Sequence, residues 1–97
     1  MKMILWVDDI RKPPKGDYLW VKSTNQAIAA LEIALFEYID IDHDAGDYAY
    51  DGGDYIKILD WLEAHKISYN IHIHSMNPVG VLNMRRIINK NGWKELV

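Results

Sequence analysis

The stretch NIHIHSMNPVG at residues 70–80 joins a strand signal directly to a helix signal. Apolar residues alternate with polar ones in Asn70–His74, which indicates a β-strand whose side chains point to opposite faces in turn. Asn77 is a strong helix N-cap, and Pro78 follows at the first helical position, where a missing N–H does no harm. A strand followed by a helix is the repeating unit of a parallel sheet. The stretch therefore predicts an α/β fold.

The rest of the chain extends this pattern. Earlier strands are predicted at Met3–Val7, Tyr18–Lys22 and Tyr38–Asp42. Helices are predicted at about 24–37, 54–66 and 78–90, the first behind a capping box formed by Ser23 and Gln26. The order β-β-α-β-α-β-α predicts a flavodoxin-like open parallel sheet of about four strands, with three helices that cover both of its faces. With no repeat and no internal linker, residues 1–97 are expected to form a single domain.

The composition narrows the class of protein. The absence of Cys excludes a disulfide scaffold, a thiolate zinc site and a Cys nucleophile, and it fits a cytoplasmic location. Met3–Val7 is too short for the apolar part of a signal peptide, and no run approaches the roughly 20 apolar residues of a membrane span. A net charge of −3 without a basic run argues against long nucleic acids as partners. A short sheet leaves an edge strand open, so a homodimer is an alternative to a monomer.

Three polar clusters follow three of the predicted strands: Asp8-Asp9, Asp42-His43-Asp44 and His74-Ser75-Met76-Asn77-Pro78. Ligands of open parallel sheets bind at the carboxyl ends of the strands, so we expect these clusters to meet if their strands are neighbours. Adjacent carboxylates such as Asp8 and Asp9 repel each other, and they are the hard oxygen ligands that Mg²⁺ prefers. The alternative is a solvated loop start in which Asp9 pairs with Arg11.

Histidines accompany the carboxylates at the same edge. Asp42 and Asp44 share a face if the strand continues through them, although an Asx-turn would serve as a purely structural alternative. His74 is the last residue of its strand and is predicted to act as an acid or a base, whereas His72 lies deeper and is typical of a satisfied core histidine.

The turn after His74 is the predicted place for a phosphate. Ser75 is a candidate donor to a phosphate oxygen, with an ordinary turn hydroxyl as the alternative. Asn77 caps a helix whose N-terminal N–H groups attract anions. The long Gly-rich loop at residues 43–54 lacks the Gly-Lys-Ser/Thr of a P-loop and is a candidate lid, in which Tyr48 and Tyr50 either stack on a base or pack within the protein.

In order along the chain, DDIR at 8–11, DHDAG at 42–46 and HSMNPVG at 74–80 resemble the cyclic-phosphate-processing receiver-like family of bacteria and phages. The resemblance implies a receiver-like fold, in which Asp8 and Asp9 match the acidic pair of receivers. It further implies that Asp42 or Asp44 matches the phosphoacceptor and Ser75 the receiver hydroxyl. The chain departs from ordinary receivers in two ways: a fifth strand with its Lys is not predicted, and histidines are added at the site.

These expectations combine into a metal-dependent phosphoesterase that acts on a small phosphate ester such as a cyclic nucleotide. The bound ion, Mg²⁺ or Mn²⁺, would polarise the phosphoryl group and lower the pKa of a bound water. The expected metal ligands are Asp8, Asp9, Asp42 and Asp44; the expected catalytic residues are His43, His74 and Ser75; the expected ligand-binding residues are Arg11 and Asn77.

The sequence leaves open whether the protein is catalytic at all. One alternative is a non-catalytic receiver-like module that binds a phosphorylated ligand or a partner protein. Another is a small interaction protein whose acidic edge is vestigial.

Overall fold

The computed structural model describes residues 2–97, so only Met1 of the predicted domain lies outside it. Its strands are β1 (Ile4–Val7), β2 (Tyr18–Val21), β3 (Ile39–Ile41), β4 (Ile71–Ile73) and β5 (Glu95–Leu96). Its helices are α1 (Thr24–Ile33), α2 (Ile56–Ala64) and α3 (Pro78–Asn91), with a short 3₁₀ helix at Gly46–Tyr48. None of the helices in residues 2–97 has the length and apolar character needed to cross a membrane.

All strands are parallel and lie in the order β2-β1-β3-β4-β5, as in a receiver-like α/β sheet. The predicted fold class and the three helices are therefore confirmed. The strands that carry the polar clusters, β1, β3 and β4, are direct neighbours, which brings their carboxyl ends to one edge.

The prediction that the fifth strand is absent is wrong. Glu95–Leu96 pairs in parallel with β4, after α3 has ended at Gly92 in the left-handed conformation (φ 69°). Arg85 holds Glu95 through two hydrogen bonds of 2.7 and 2.6 Å. Two residues are too few to show a strand's alternation, so the hydrophobic pattern gave no signal for β5.

The prediction that helices cover both faces of the sheet is also wrong. One face carries the apolar strand residues, which share a single core with residues of all three helices: Leu5, Val7, Ile39, Ile41 and Ile71. Three connections, from β2 to β3, from β3 to β4 and from β4 to β5, all cross the sheet in the same direction. Right-handed crossovers that run in the same direction place their helices on the same face of the sheet. The connection from β1 to β2 moves the other way, but it is a loop. The second face, which includes Trp6, Asp40 and His72, therefore lies beneath none of the three helices.

The first helix is shorter than predicted. Its N-cap is confirmed, because the Ser23 side chain accepts the N–H of Gln26 at 3.0 Å. Its end lies at Ile33 rather than near residue 37, although the apolar period continues. Phe36 is buried in the core and donates its N–H to the Tyr69 hydroxyl at 3.2 Å. These tertiary contacts override the local helical pattern.

Candidate functional site

Three carboxylates converge where β1 and β3 end. Asp8 and Asp9 follow β1, Asp42 follows β3, and one side-chain oxygen of each lies within 4.8 Å of the others. We call these three residues the acidic cluster. Asp44, predicted to join them, lies instead in a second group with His43 and Asp54. Of the two alternatives for the receiver-type aspartate, the structure brings Asp42 to the doublet.

Negative charge in the acidic cluster is poorly compensated. Burial raises the pKa of Asp9 above the ordinary Asp value, and the charges of Asp8, Asp42 and Asp47 raise it further, against a lowering backbone hydrogen bond. Among residues 2–97, Asp9 forms no ion pair with Arg11, so the alternative of a simple salt bridge is not observed. A cation would relieve the repulsion.

Asp8 is held on both of its oxygens. Oδ1 accepts the backbone N–H groups of Ile10 at 2.9 Å and Arg11 at 2.8 Å, as in an Asx-turn. Oδ2 lies 2.9 Å from Nε2 of His74. Asp8 directly follows β1 and is only 3% exposed. Arg11 thus contacts the cluster through its backbone, while the residue itself is exposed.

His74 lies behind the acidic cluster rather than on its open side. Its side chain is 8% exposed, and its ring stacks on Trp6 with centroids 4.0 Å apart. Nε2 contacts Asp8, and Nδ1 lies 2.6 Å from Oδ1 of Asp40. The ring thus lies between two buried carboxylates, one at each nitrogen. With both ring nitrogens occupied, the geometry favours a role for His74 in holding Asp8.

Asp40 is a site residue that the sequence reading missed. It is 5% exposed, and its Oδ1 lies 2.8 Å from Nδ1 of His72 as well as close to His74. His72 is therefore hydrogen-bonded as expected, but the prediction that it lies deeper than His74 is wrong, because its side chain is 36% exposed. A usable signal was present: Asp40 and Asp42 alternate in one strand as His72 and His74 do in its neighbour.

His43 has the free nitrogen that His74 lacks. Its Nδ1 lies 2.7 Å from Oδ1 of Asp44, and this oxygen also accepts a hydrogen bond from Asn77 at 3.1 Å. The hydrogen bond from His43, and then that from Asn77, lower the pKa of Asp44. Among the residues described, Nε2 of His43 has no hydrogen-bond partner. Every buried side-chain nitrogen in these residues does have a partner, so Nε2 is not buried and reaches solvent.

Two glycines make room for these side chains. A Cβ at Gly46 would collide with Oδ2 of Asp9, and a Cβ at Gly80 would collide with the ring of His43. Gly46 has a φ of 54°, which also favours glycine. Both glycines lie in the blocks that carry the family resemblance, but their role in packing depends on tertiary contacts that a sequence does not show.

The turn between β4 and α3 offers fewer anion donors than predicted. Ser75 Oγ accepts the N–H of Asn77 at 3.1 Å, and Asn77 Oδ1 accepts the N–H of Gly80 at 3.0 Å. Pro78 has no N–H. Within residues 2–97, the N–H groups of Ser75, Met76 and Val79 are left without a partner, and the hydroxyl proton of Ser75 is available to donate. Of the first N–H groups of α3, only that of Val79 remains open to an anion.

The candidate lid at residues 43–54 is tied to the start of α1. The carboxylate of Asp51 accepts hydrogen bonds from Ser23 at 2.5 Å and from Asn25 at 3.0 Å. Tyr48 and Tyr50 stack on each other with centroids 6.4 Å apart, and Tyr50 remains largely exposed. Movement of the loop would break the Asp51 hydrogen bonds, so its role as a lid stays a prediction.

A protein-family model described as "Cyclic-phosphate processing Receiver domain" matches residues 3–90. The matched range contains the acidic cluster, the His43 group and the turn before α3, and it lacks only β5 among the strands. No curated protein matches the chain.

Proposed function

Because this chain belongs to the cyclic-phosphate processing receiver domain family, we propose that it is a metal-dependent phosphoesterase whose site is the acidic cluster together with His43. The receiver fold and the association with cyclic-phosphate processing come with the family. The reaction, the metal and the choice of residues are our inference. The observation that carries it is the convergence of Asp8, Asp9 and Asp42 within 4.8 Å at the edge where such folds bind ligands.

The acidic cluster suits a hard divalent cation. Carboxylate oxygens are the ligands that Mg²⁺ and Mn²⁺ prefer. Burial, and then the neighbouring carboxylates, raise the pKa of Asp9, and a cation would balance the negative charge of the cluster. Asp8, Asp9 and Asp42 would hold the ion, which when bound would polarise the phosphoryl group of a substrate. Asp44 lies outside the cluster, so in this proposal it supports His43 instead of binding the metal.

The two histidines take different roles in the proposal. His43 transfers a proton through its free Nε2, while Asp44 at Nδ1 and Asn77 behind it orient the ring. His74 supports the metal site by holding Asp8 Oδ2.

Two donors are proposed for the phosphate oxygens, the hydroxyl of Ser75 and the N–H of Val79. The side chain of Arg11 is exposed at the same edge and is free to contact a small phosphorylated ligand. The ligand expected on this basis is compact and anionic, because the cluster would bind it through the metal rather than through a basic surface.

Hydrolysis of 2′,3′- and 3′,5′-cyclic nucleotides with Mg²⁺ or Mn²⁺ tests the proposal. Loss of a positioned acid or base costs about 10²- to 10⁴-fold, so we expect at least the lower figure for His43→Gln and a comparable loss for Asp42→Asn. Matched controls are His65→Gln and Asp60→Asn, which change exposed residues at α2. Turnover that persists in both site variants would show that another group performs the chemistry.

The same donors at Ser75 and Val79 also suit the alternative of a non-catalytic module that binds a phosphorylated ligand. Isothermal titration with the same nucleotides distinguishes the two. Tight, metal-dependent binding without turnover would favour the binding module, and turnover would exclude it.

A further inference from the structure

A buried polar network lies behind the acidic cluster, on the sheet face beneath none of the helices. We propose that Asp40 is a positioning residue that acts through His74 to fix the Asp8 carboxylate in the acidic cluster. The inference rests on the proposed function in one respect, since it takes Asp8 to be a ligand of the metal.

The strand register places Asp40 where it can act on the site from behind. Asp40 lies opposite Trp6 on β1 and opposite His72 on β4. Its side chain is buried, and its Oδ1 lies within hydrogen-bond distance of two histidine rings, 2.8 Å from Nδ1 of His72 and 2.6 Å from Nδ1 of His74. A buried carboxylate without partners is strongly unfavourable, so the two rings account for how Asp40 is tolerated inside the sheet.

His74 transmits this position to Asp8. Its ring is stacked on Trp6 with planes 6° apart, so rotation about the Cβ–Cγ bond would break the stack. Asp40 at Nδ1 and Asp8 at Nε2 fix the direction of the two ring nitrogens. Without Asp40, the His74 ring keeps only one of its two hydrogen bonds, the one to Asp8. The ring is then less fixed, and so is the position of Asp8 Oδ2, which contacts it. The remaining Asp8 contacts all involve Oδ1.

Stability alone does not explain a carboxylate at this position. Replacing both partners of a buried ion pair by apolar residues of similar volume is often neutral or stabilising, so stability is not a sufficient reason for the pair. Partners behind metal ligands orient those ligands, and their removal typically costs about 10- to 100-fold in metal affinity.

Calorimetric titration of the whole protein with Mn²⁺ provides the first test. Asp40→Leu keeps the branching at Cγ and removes the acceptor, so we expect Mn²⁺ binding to weaken about 10- to 100-fold. Asp40→Asn keeps an acceptor oxygen for both rings and is expected to restore most of the affinity. His72→Leu is the matched control, because it removes only the other contact of Asp40 and should bind Mn²⁺ like the wild type. Unchanged affinity in Asp40→Leu, or an equal loss in His72→Leu, would overturn the proposal.

A second readout requires no metal and separates this inference from the proposed function. The amides of Ile10 and Arg11 donate to Asp8 Oδ1 and have no hydrogen bond to Asp40, so their NMR signals report the Asp8 carboxylate. In the metal-free protein, we expect both signals to shift and to exchange faster in Asp40→Leu, and to stay in place in His72→Leu. If the wild type binds no Mn²⁺, the proposed metal site fails and these amides alone decide the role of Asp40. Amides that remain unshifted in a folded Asp40→Leu protein would refute it.

Discussion

Replacement of Asp9 by Asn is expected to stabilise the protein in the absence of divalent ions. The substitution removes one charge from the acidic cluster and keeps the shape that fits against Gly46. Side-chain oxygens of the three carboxylates lie within 4.8 Å of one another. At that distance two unit charges repel by roughly 0.9 kcal/mol in bulk water and about 3.5 kcal/mol at an effective dielectric constant of 20. Asp9 is half-buried, and screening favours the lower figure, so we expect a gain of about 1 kcal/mol.

The pH dependence of this gain follows from the raised pKa of Asp9. The folded protein binds a proton at Asp9 more readily than the unfolded chain does, because burial and neighbouring carboxylates disfavour the charge. Stability of the wild type therefore falls as the pH rises through the raised pKa. The full destabilisation is present above the raised pKa and vanishes below the ordinary Asp value of about 3.9. The advantage of Asp9→Asn should consequently exist at pH 7 and disappear in acid.

Thermal unfolding followed by circular dichroism measures both effects. A gain of 1 kcal/mol corresponds to a rise in Tm of about 4–8 °C for a domain of this size. With MgCl₂ in excess the order should reverse, because a ligand at 100 times its Kd stabilises the wild type by about 2.7 kcal/mol and the variant binds it more weakly. Asp60→Asn, on the exposed side of α2, controls for charge removal in general. An Asp9→Asn protein that is no more stable than the wild type in EDTA, or that gains equally from Mg²⁺, would refute the reasoning.

Three further substitutions test the packing around the site. Gly80→Ala should displace the His43 ring, which lowers the free energy of unfolding by about 1–3 kcal/mol through overpacking and abolishes any turnover. Urea unfolding and the cyclic-nucleotide assay measure the two effects, and unchanged turnover would contradict the placement of His43. Tyr55→Phe removes the 2.7 Å hydrogen bond to the Lys22 carbonyl and should cost about 0.5–1.5 kcal/mol in urea unfolding; a neutral result would argue against that bond. Leu59→Ala, fully buried in α2, should cost about 2–5 kcal/mol, and a much smaller loss would contradict its core position.

Local patterns predicted the parts of the fold that depend on neighbours in sequence. Asn77 caps the start of α3 as expected, because capping depends on side-chain and backbone preferences at single positions. The strands before Asp8, Asp42 and His74 were recognisable as short runs that end in polar residues, and they are neighbours in the sheet.

The features that the sequence did not reveal depend on long-range geometry. The one-sided arrangement of the helices follows from strand order combined with crossover handedness, and the order is not visible in a periodicity. The contacts of Asp40 join residues 32 and 34 positions apart, and they decide that His74 is enclosed. The position of the His43 ring depends on a similar long-range contact, since Gly80 on another element provides the space for it.

The central claim is that Asp8, Asp9 and Asp42 hold one divalent ion beside His43. A crystal structure with Mn²⁺ and phosphate, with the ion located by anomalous scattering, tests it most directly. The account predicts one Mn²⁺ contacting oxygens of all three carboxylates, with phosphate between the ion and the turn before α3. An ion held instead by His43, Asp44 and Asp54, or an acidic cluster that stays free of Mn²⁺ at saturating concentration, would contradict it.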